Sequence, residues 1–322
     1  MTALTTVTSE TSARGTRMLR TALGPAVNAF LDDATIVEVM LNPDGKLWVD
    51  RLAGGLSNTG QTLSPEDGER IIRVVAHHVG AEAHAGSPRL SAELPGSGER
   101  FEGLLPPIVA APSFSVRKPA VAVFTLDQYV SAGTLTAGQA QTLRAGVRDR
   151  LNILVAGGTS TGKTTLANAL LAEMAKTGDR VVLIEDTREL QCLAPNLVSL
   201  RTKDGVASLS DLVRSSLRMR PDRIPIGEVR GPEALDLVKA WATGHPGGIG
   251  TIHAGSATGA LLRLEQLIQE AVITVPRALI GETINLIAVL AGRGEHRRLV
   301  ELAKVDGLGV DGAYRVSPAH SA

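Results

Sequence analysis

Gly157-Gly158-Thr159-Ser160-Thr161-Gly162-Lys163-Thr164-Thr165 is the stretch on which the reading of this chain turns. It fits G-x-x-x-x-G-K followed by Ser or Thr, the pattern of a phosphate-binding loop. Asn152-Ile153-Leu154-Val155-Ala156 precedes it, a short apolar run of the kind that forms a buried strand. Leu166-Ala167-Asn168-Ala169-Leu170-Leu171-Ala172-Glu173-Met174 follows, mostly good helix formers. Strand, glycine loop and helix start together make an anion site. Backbone N–H groups converge there, and the helix dipole favours negative charge. Residues Gly158 to Thr165 are therefore the expected phosphate cradle. Lys163 is expected to reach the β- and γ-phosphates and the Thr164 hydroxyl to ligate Mg²⁺. The plain alternative, a glycine-rich turn without a ligand, leaves both flanks unexplained.

The 322 residues suggest about two domains. Lys and Arg total 33, as do Asp and Glu. That balance argues against a chain whose main business is wrapping nucleic acid, and aromatics at 2% leave few platforms for stacking bases. The lone cysteine, Cys192, excludes an intrachain disulfide and reads as a small buried apolar residue. No apolar run approaches the roughly 20 residues of a spanning helix. The start, Met1 to Glu10, lacks a basic region and an apolar block, so no signal peptide is expected. These features predict a cytoplasmic protein that meets a membrane only peripherally.

Residues 1–16 are expected as a disordered tail, 17–121 as an α+β domain, and 122–322 as a second, α/β domain. Leu19, Leu23, Val27, Phe30 and Leu31 predict an amphipathic helix over 17–32, interrupted at Gly24-Pro25. Two β-rich runs around Asn42-Pro43-Asp44-Gly45 predict a hairpin. Ser64-Pro65-Glu66-Asp67 predicts a capped helix start. Residues 87–119 read as strands and turns. Arg100 and Arg117 lie at strand edges on either side of Pro106-Pro107, and their forked guanidinium groups suit phosphate oxygens.

In the second domain, apolar runs end in polar residues. Arg180-Val181-Val182-Leu183-Ile184 ends in Glu185-Asp186, and Arg223-Ile224-Pro225-Ile226-Gly227 ends in Glu228. In parallel sheets ligands sit at the C-terminal strand ends. Glu185 and Glu228 are thus candidates at the level of the phosphates, with Glu228 the first choice for polarising a water. Pro225 fits a central strand poorly, because it lacks an N–H. Thr243 to Ala254 holds two histidines among glycines. His253 ends a short strand, placed to donate to a γ-phosphate or a bound water. Residues 284–290 and 299–305 predict a closing hairpin or edge strands, with Arg293, Arg297 and Arg298 in a solvated turn between them.

This ordered set resembles the secretion ATPases of the RecA-like P-loop superfamily, and most closely the TrbB-type conjugal-transfer ATPases of type IV secretion systems. The resemblance runs from about residue 17 to 305. It rests on the glycine loop, on Leu183-Ile184-Glu185-Asp186-Thr187-Arg188-Glu189-Leu190, on Leu217-Arg218-Met219-Arg220-Pro221-Asp222-Arg223, on Gly227-Glu228-Val229-Arg230, and on Thr251-Ile252-His253-Ala254. It implies a RecA-like core with a mostly parallel central sheet, behind a smaller α+β domain that caps the nucleotide. It also implies a hexameric ring that hydrolyses ATP with Mg²⁺ beside inner-membrane components of a secretion channel. Arg100 and Arg117 would match arginines that approach the phosphates, Glu228 the second-motif glutamate, Glu185 the acidic-box glutamate, and His253 a γ-phosphate sensor. The absence of a cysteine-rich insertion argues against the type II and pilus-extension branches. A nucleic-acid translocase or helicase on the same core is the alternative, and zero net charge and few aromatics weigh against it. Stable nucleic-acid binding is not expected.

Overall fold

Breakers and caps set the element boundaries throughout. The computed structural model describes residues 3–52, 54–94, 98–119, 123–203 and 205–319, with only the backbone of residues 3–14. The chain divides into two compact units, Met1–Val121 and Ala122–Ala322.

In the first unit, α1 runs Ala3–Asp32. Residues 3–16, expected as a disordered tail, are thus helical, with no proline or glycine before Gly15 to stop the helix. The helix breaks at Gly24 (φ 75°), ahead of Pro25. β1 (Ile36–Leu41), β2 (Lys46–Arg51), β3 (Gly55–Thr62), α2 (Pro65–Val79), β4 (Arg89–Glu93), β5 (Arg100–Leu104) and β6 (Ser113–Arg117) follow. The strands pair antiparallel in the order β3-β2-β1-β6-β5-β4. The Ser64 hydroxyl caps α2 by accepting from the Asp67 N–H. Leu23 and Val27 of α1 and Ile71, Ile72 and Val75 of α2 bury against Val39, Phe101 and Val116 of the sheet.

The second unit comprises α3 (Leu126–Ser131), α4 (Ala137–Arg148), β7 (Ile153–Gly157), α5 (Lys163–Met174), β8 (Val181–Glu185), β9 (Leu197–Arg201), α6 (Leu209–Ser216), α7 (Glu233–Ala242), β10 (Ile249–Ile252), α8 (Ala257–Gln269), α9 (Arg277–Thr283), β11 (Leu286–Ala291), β12 (Arg298–Leu308) and β13 (Tyr314–Pro318). It is an α/β fold. One sheet has the order β10-β7-β11-β12-β13, with β7 parallel to both neighbours and β12 and β13 antiparallel. All of β7 is buried. Its alternate residues feed two cores, Leu154 and Ala156 on one face, Ile153 and Val155 on the other. Burial on both faces is why this run is apolar throughout rather than alternating.

Two expectations need correcting here. Residues 223–230 do not form a strand. Pro225 has no N–H to give, so the ladder reduces to single parallel bridges, Ile184 with Ile226 and Ile226 with Gly250. These bridges still connect the β8–β9 pair to β10. The Ile184 N–H donates to the Pro225 carbonyl (3.0 Å), and the Ile226 N–H to the Ile249 carbonyl (2.8 Å). Second, residues 284–290 and 299–305 form the expected hairpin, β11 pairing antiparallel with β12, but β11 is no edge. β11 lies in the middle of its sheet, between β7 and β12. Among the described residues no helix is long and apolar enough to cross a membrane.

Candidate active site

The loop after β7 takes its shape from its backbone. Ser160 adopts φ 62° and Gly162 φ 91°. A left-handed serine is uncommon, and such local strain concentrates where a ligand is clamped. Gly162 is the N-cap of α5, and no side chain caps the helix there. Its first amides remain available to an anion. The Thr161 hydroxyl donates to the Gly158 carbonyl (2.9 Å) and braces the loop from within.

Lys163 is nearly buried, 8% exposed. Its Nζ donates to the Gly158 carbonyl (2.9 Å) and lies 3.4 Å from His253 Nε2. The same His253 nitrogen is 3.5 Å from Glu228 Oε1. The three residues, chosen from separate stretches of sequence, thus stand in one line beside the loop. His253 follows β10 directly, and β10 is the parallel neighbour of β7. Glu228 is set by the bridged segment. The Gly227 N–H donates to the Ile184 carbonyl (2.9 Å), the Val229 N–H to the Thr251 carbonyl (2.8 Å), and the Thr251 hydroxyl to the Gly227 carbonyl (2.7 Å). Irregular as it is, the segment is pinned on both sides.

Glu185 takes a different place. It is 3% exposed, and its Oε2 accepts from the backbone N–H groups of Glu189 and Leu190, each at 2.9 Å. Burial pushes its carboxyl pKa up, and the two amides act against that shift. It shapes the loop that follows it. That loop returns Glu189, whose Oε2 accepts from the Thr164 hydroxyl at 3.3 Å. Asn168 of α5 holds the return, donating to the Glu189 carbonyl (3.1 Å) and accepting from the Gln191 N–H (2.8 Å). Glu189 is a candidate that the sequence reading passed over. Its signal was an acid four residues beyond Glu185 in a chain where Thr164 already asked for a carboxylate nearby.

The remaining expectations sort by position. His245 precedes β10, at the end of that strand away from His253, so only one histidine of the pair belongs to the site. The glycines between them make room for packing. A Cβ on Gly248 would fall 2.0 Å from the Trp241 ring, whose Nε1 donates to the Ile224 carbonyl (2.9 Å). Arg100 and Arg117 belong to the N-terminal unit, where they are direct cross-strand partners on β5 and β6. Each also faces an acid on its other neighbouring strand, Arg100 opposite Glu93 of β4 and Arg117 opposite Glu38 of β1.

For a divalent cation the donor set is two hard oxygens, the Thr164 hydroxyl and the Glu189 carboxylate. Among the described residues no group of three His, Cys, Asp or Glu side chains gathers around a common point. Two hard oxygens fit Mg²⁺. Magnesium takes one or two protein oxygens and completes its shell with water and phosphate.

Known proteins share this arrangement of sequence. The family model for "Type II/IV secretion system protein" matches residues 89–295. The probable conjugal transfer protein TrbB of Sinorhizobium fredii is 47% identical, over 93% of this chain and 92% of its own length. The type IV secretion system protein PtlH of Bordetella pertussis is 34% identical over 88% of this chain and 94% of its own. Among solved structures, the pilus retraction motor PilT with bound ADP aligns with a TM-score of 0.60 at 18% identity, covering 91% of this chain and 80% of that one, a likeness of fold. On the family match and the extent of the TrbB similarity, the chain belongs to the type II/IV secretion system protein family.

Proposed function

We propose that the chain is the ATP-hydrolysing motor of a type IV secretion or conjugal-transfer system, built on a RecA-like core. The observation that carries this reading is the line of Lys163, His253 and Glu228 beside the glycine loop. The loop amides and Lys163 take the β- and γ-phosphates of ATP. Glu228 orients a water and accepts its proton as the oxygen attacks the γ-phosphorus. The bond to the β–γ bridging oxygen breaks, and ADP and phosphate leave. Lys163 offsets charge on the transferring group, and His253 contacts the γ-phosphate or the water. Glu185 serves by fixing the loop that carries Glu189. Thr164 and Glu189 would hold Mg²⁺, which when bound offsets charge on the phosphate oxygens. Arg100 and Arg117 serve as a second phosphate-binding element on the N-terminal unit.

The motor works as a homo-oligomer, a hexameric ring. It is cytoplasmic, peripheral at the inner face of the inner membrane, and bound to membrane components of the channel. Turnover drives domain movements that power pilus assembly or substrate transfer. The TrbB and PtlH relatives support this placement through the systems they are named for.

The test is steady-state phosphate release by the purified full chain. The reading expects many phosphates per subunit, loss of turnover on removing Mg²⁺ with a chelator, and a rate unchanged by single-stranded DNA. A single turnover per subunit would make the chain a nucleotide switch instead. Strong stimulation by DNA would make it a translocase.

A further inference from the structure

The turn between β11 and β12 was expected to be solvated, but one of its arginines, Arg297, is half-buried. Arg297 lays its side chain against the glycine loop. An ideal Cβ on Gly162 would lie 2.8 Å from Arg297 Nε and 2.9 Å from Cζ, so the guanidinium end sits directly against the loop. Arg297 Nε is buried and has no hydrogen-bond partner. The Tyr129 hydroxyl is also buried without a partner. Burial pushes the Tyr129 phenol up to about 12, and the nearby charge of Arg297 works against that shift. The backbone that carries Arg297 is tied down on the same side. The Leu299 N–H donates to the Thr134 carbonyl (2.9 Å), and Gln139 Nε2 donates to the Leu299 carbonyl (3.4 Å). Orphaned buried polar atoms are rare in native structures and call for a cause. Two of them, on side chains that sense each other beside a phosphate loop, suggest a ligand that rearranges this end of the site.

The sheet indicates which part of the ligand that is. β7 carries the loop and lies between β10 and β11. His253 and Glu228 stand on the β10 side, Arg297 on the β11 side. A nucleotide laid along the loop with its terminal phosphate toward His253 carries its ribose and base toward Arg297. The aromatic surface there is Tyr129 with Phe124, which meets it edge-on (centroids 6.1 Å apart, 79°) and is 44% exposed.

We propose that Arg297, backed by Tyr129, is the seat of the nucleobase, its guanidinium plane stacking on the ring. The proposal rests on the ATPase reading above and adds the base-binding end of that site. A flat, weakly hydrated guanidinium is suited to stacking in a way that an ammonium is not.

The experiment measures dissociation constants of the full chain by calorimetry for ATP, ADP and inorganic tripolyphosphate. The variants are Arg297→Ala, Arg297→Lys and, as reference, Lys163→Ala, each checked for an unchanged melting temperature. Arg297→Ala should weaken ATP and ADP alike by about tenfold, the size of one stacking contact, and leave tripolyphosphate unaffected. Arg297→Lys should not restore binding. Equal loss of tripolyphosphate, or full rescue by lysine, would make Arg297 a phosphate contact and overturn the proposal. So would unchanged ATP binding in Arg297→Ala while Lys163→Ala binds weakly, and that outcome leaves the ATPase reading standing. A wild type that binds tripolyphosphate but neither nucleotide overturns both.

Discussion

Glu228→Gln should bind ATP as wild type does and turn it over about 10²–10⁴-fold more slowly, the usual loss when a general base is removed. Glutamine matches glutamate in size and keeps an oxygen toward His253, so the 3.5 Å approach of the two side chains survives the change. The backbone on either side is held by Gly227 and Val229, neither of which is altered. What glutamine cannot do is take a proton from the attacking water. The check is paired: equilibrium binding of ATP, then steady-state phosphate release. Near-normal release would remove Glu228 from the role and turn attention to Glu189, the acid nearest Thr164. Glu185→Gln is a useful companion. Its carboxylate is turned toward the amides of Glu189 and Leu190, so its effect should come through the loop rather than through the water.

Arg223→Ala should cost about 3–5 kcal/mol of stability, the range for breaking one partner from a buried ion pair. Arg223 is 1% exposed. Its Nε donates to Asp179 and its Nη1 to the Val147 carbonyl (2.6 Å), so it joins the end of α4, the turn before β8 and the bridged segment. Asp179 also accepts from Arg150 and from the Thr177 hydroxyl (2.8 Å). Burial pushes the Asp179 pKa up, but the hydrogen bond from Arg223 leads the interactions that outweigh it, and the net shift is downward. A depressed carboxylate stabilises the fold above its unfolded pKa and loses that contribution as pH falls through the folded one. The deficit of Arg223→Ala should therefore be full at neutral pH and narrow below the ordinary aspartate range. Urea denaturation at several pH values reads both the size and the trend. A loss under about 1 kcal/mol at neutral pH, in the range of an exposed pair, would mean that Arg223 is not the tie described.

Local features were legible in the sequence. The glycine loop, its strand and its helix are contiguous, so their pattern is complete in one stretch. Glu228 and His253 could be named because each closes an apolar run, and parallel pairing brings such ends to one edge. Features that depend on distant chain were not legible. Arg297 stands in a run of charges that resembles any exposed turn, and only the pairing of β11 with β7 carries it to Gly162. Glu185 showed its charge but not the amides of its own loop, which cover it. β3 was missed because Gly-Leu-Ser-Asn-Thr-Gly-Gln-Thr has no apolar alternation, and its burial pattern is correspondingly open. At Pro225 the local rule decided the outcome. The missing N–H was a visible warning against a continuous strand, and the chain answers it with single bridges.

The central claim is that Lys163, His253 and Glu228 surround one terminal phosphate. A structure of the assembled protein with Mg²⁺ and a non-hydrolysable ATP analogue tests it directly. Lys163 Nζ and His253 should lie within hydrogen-bond reach of the γ-phosphate, with Glu228 facing it across one water. A γ-phosphate bound away from these side chains, with the Lys163–His253–Glu228 line left as it is now, would contradict it.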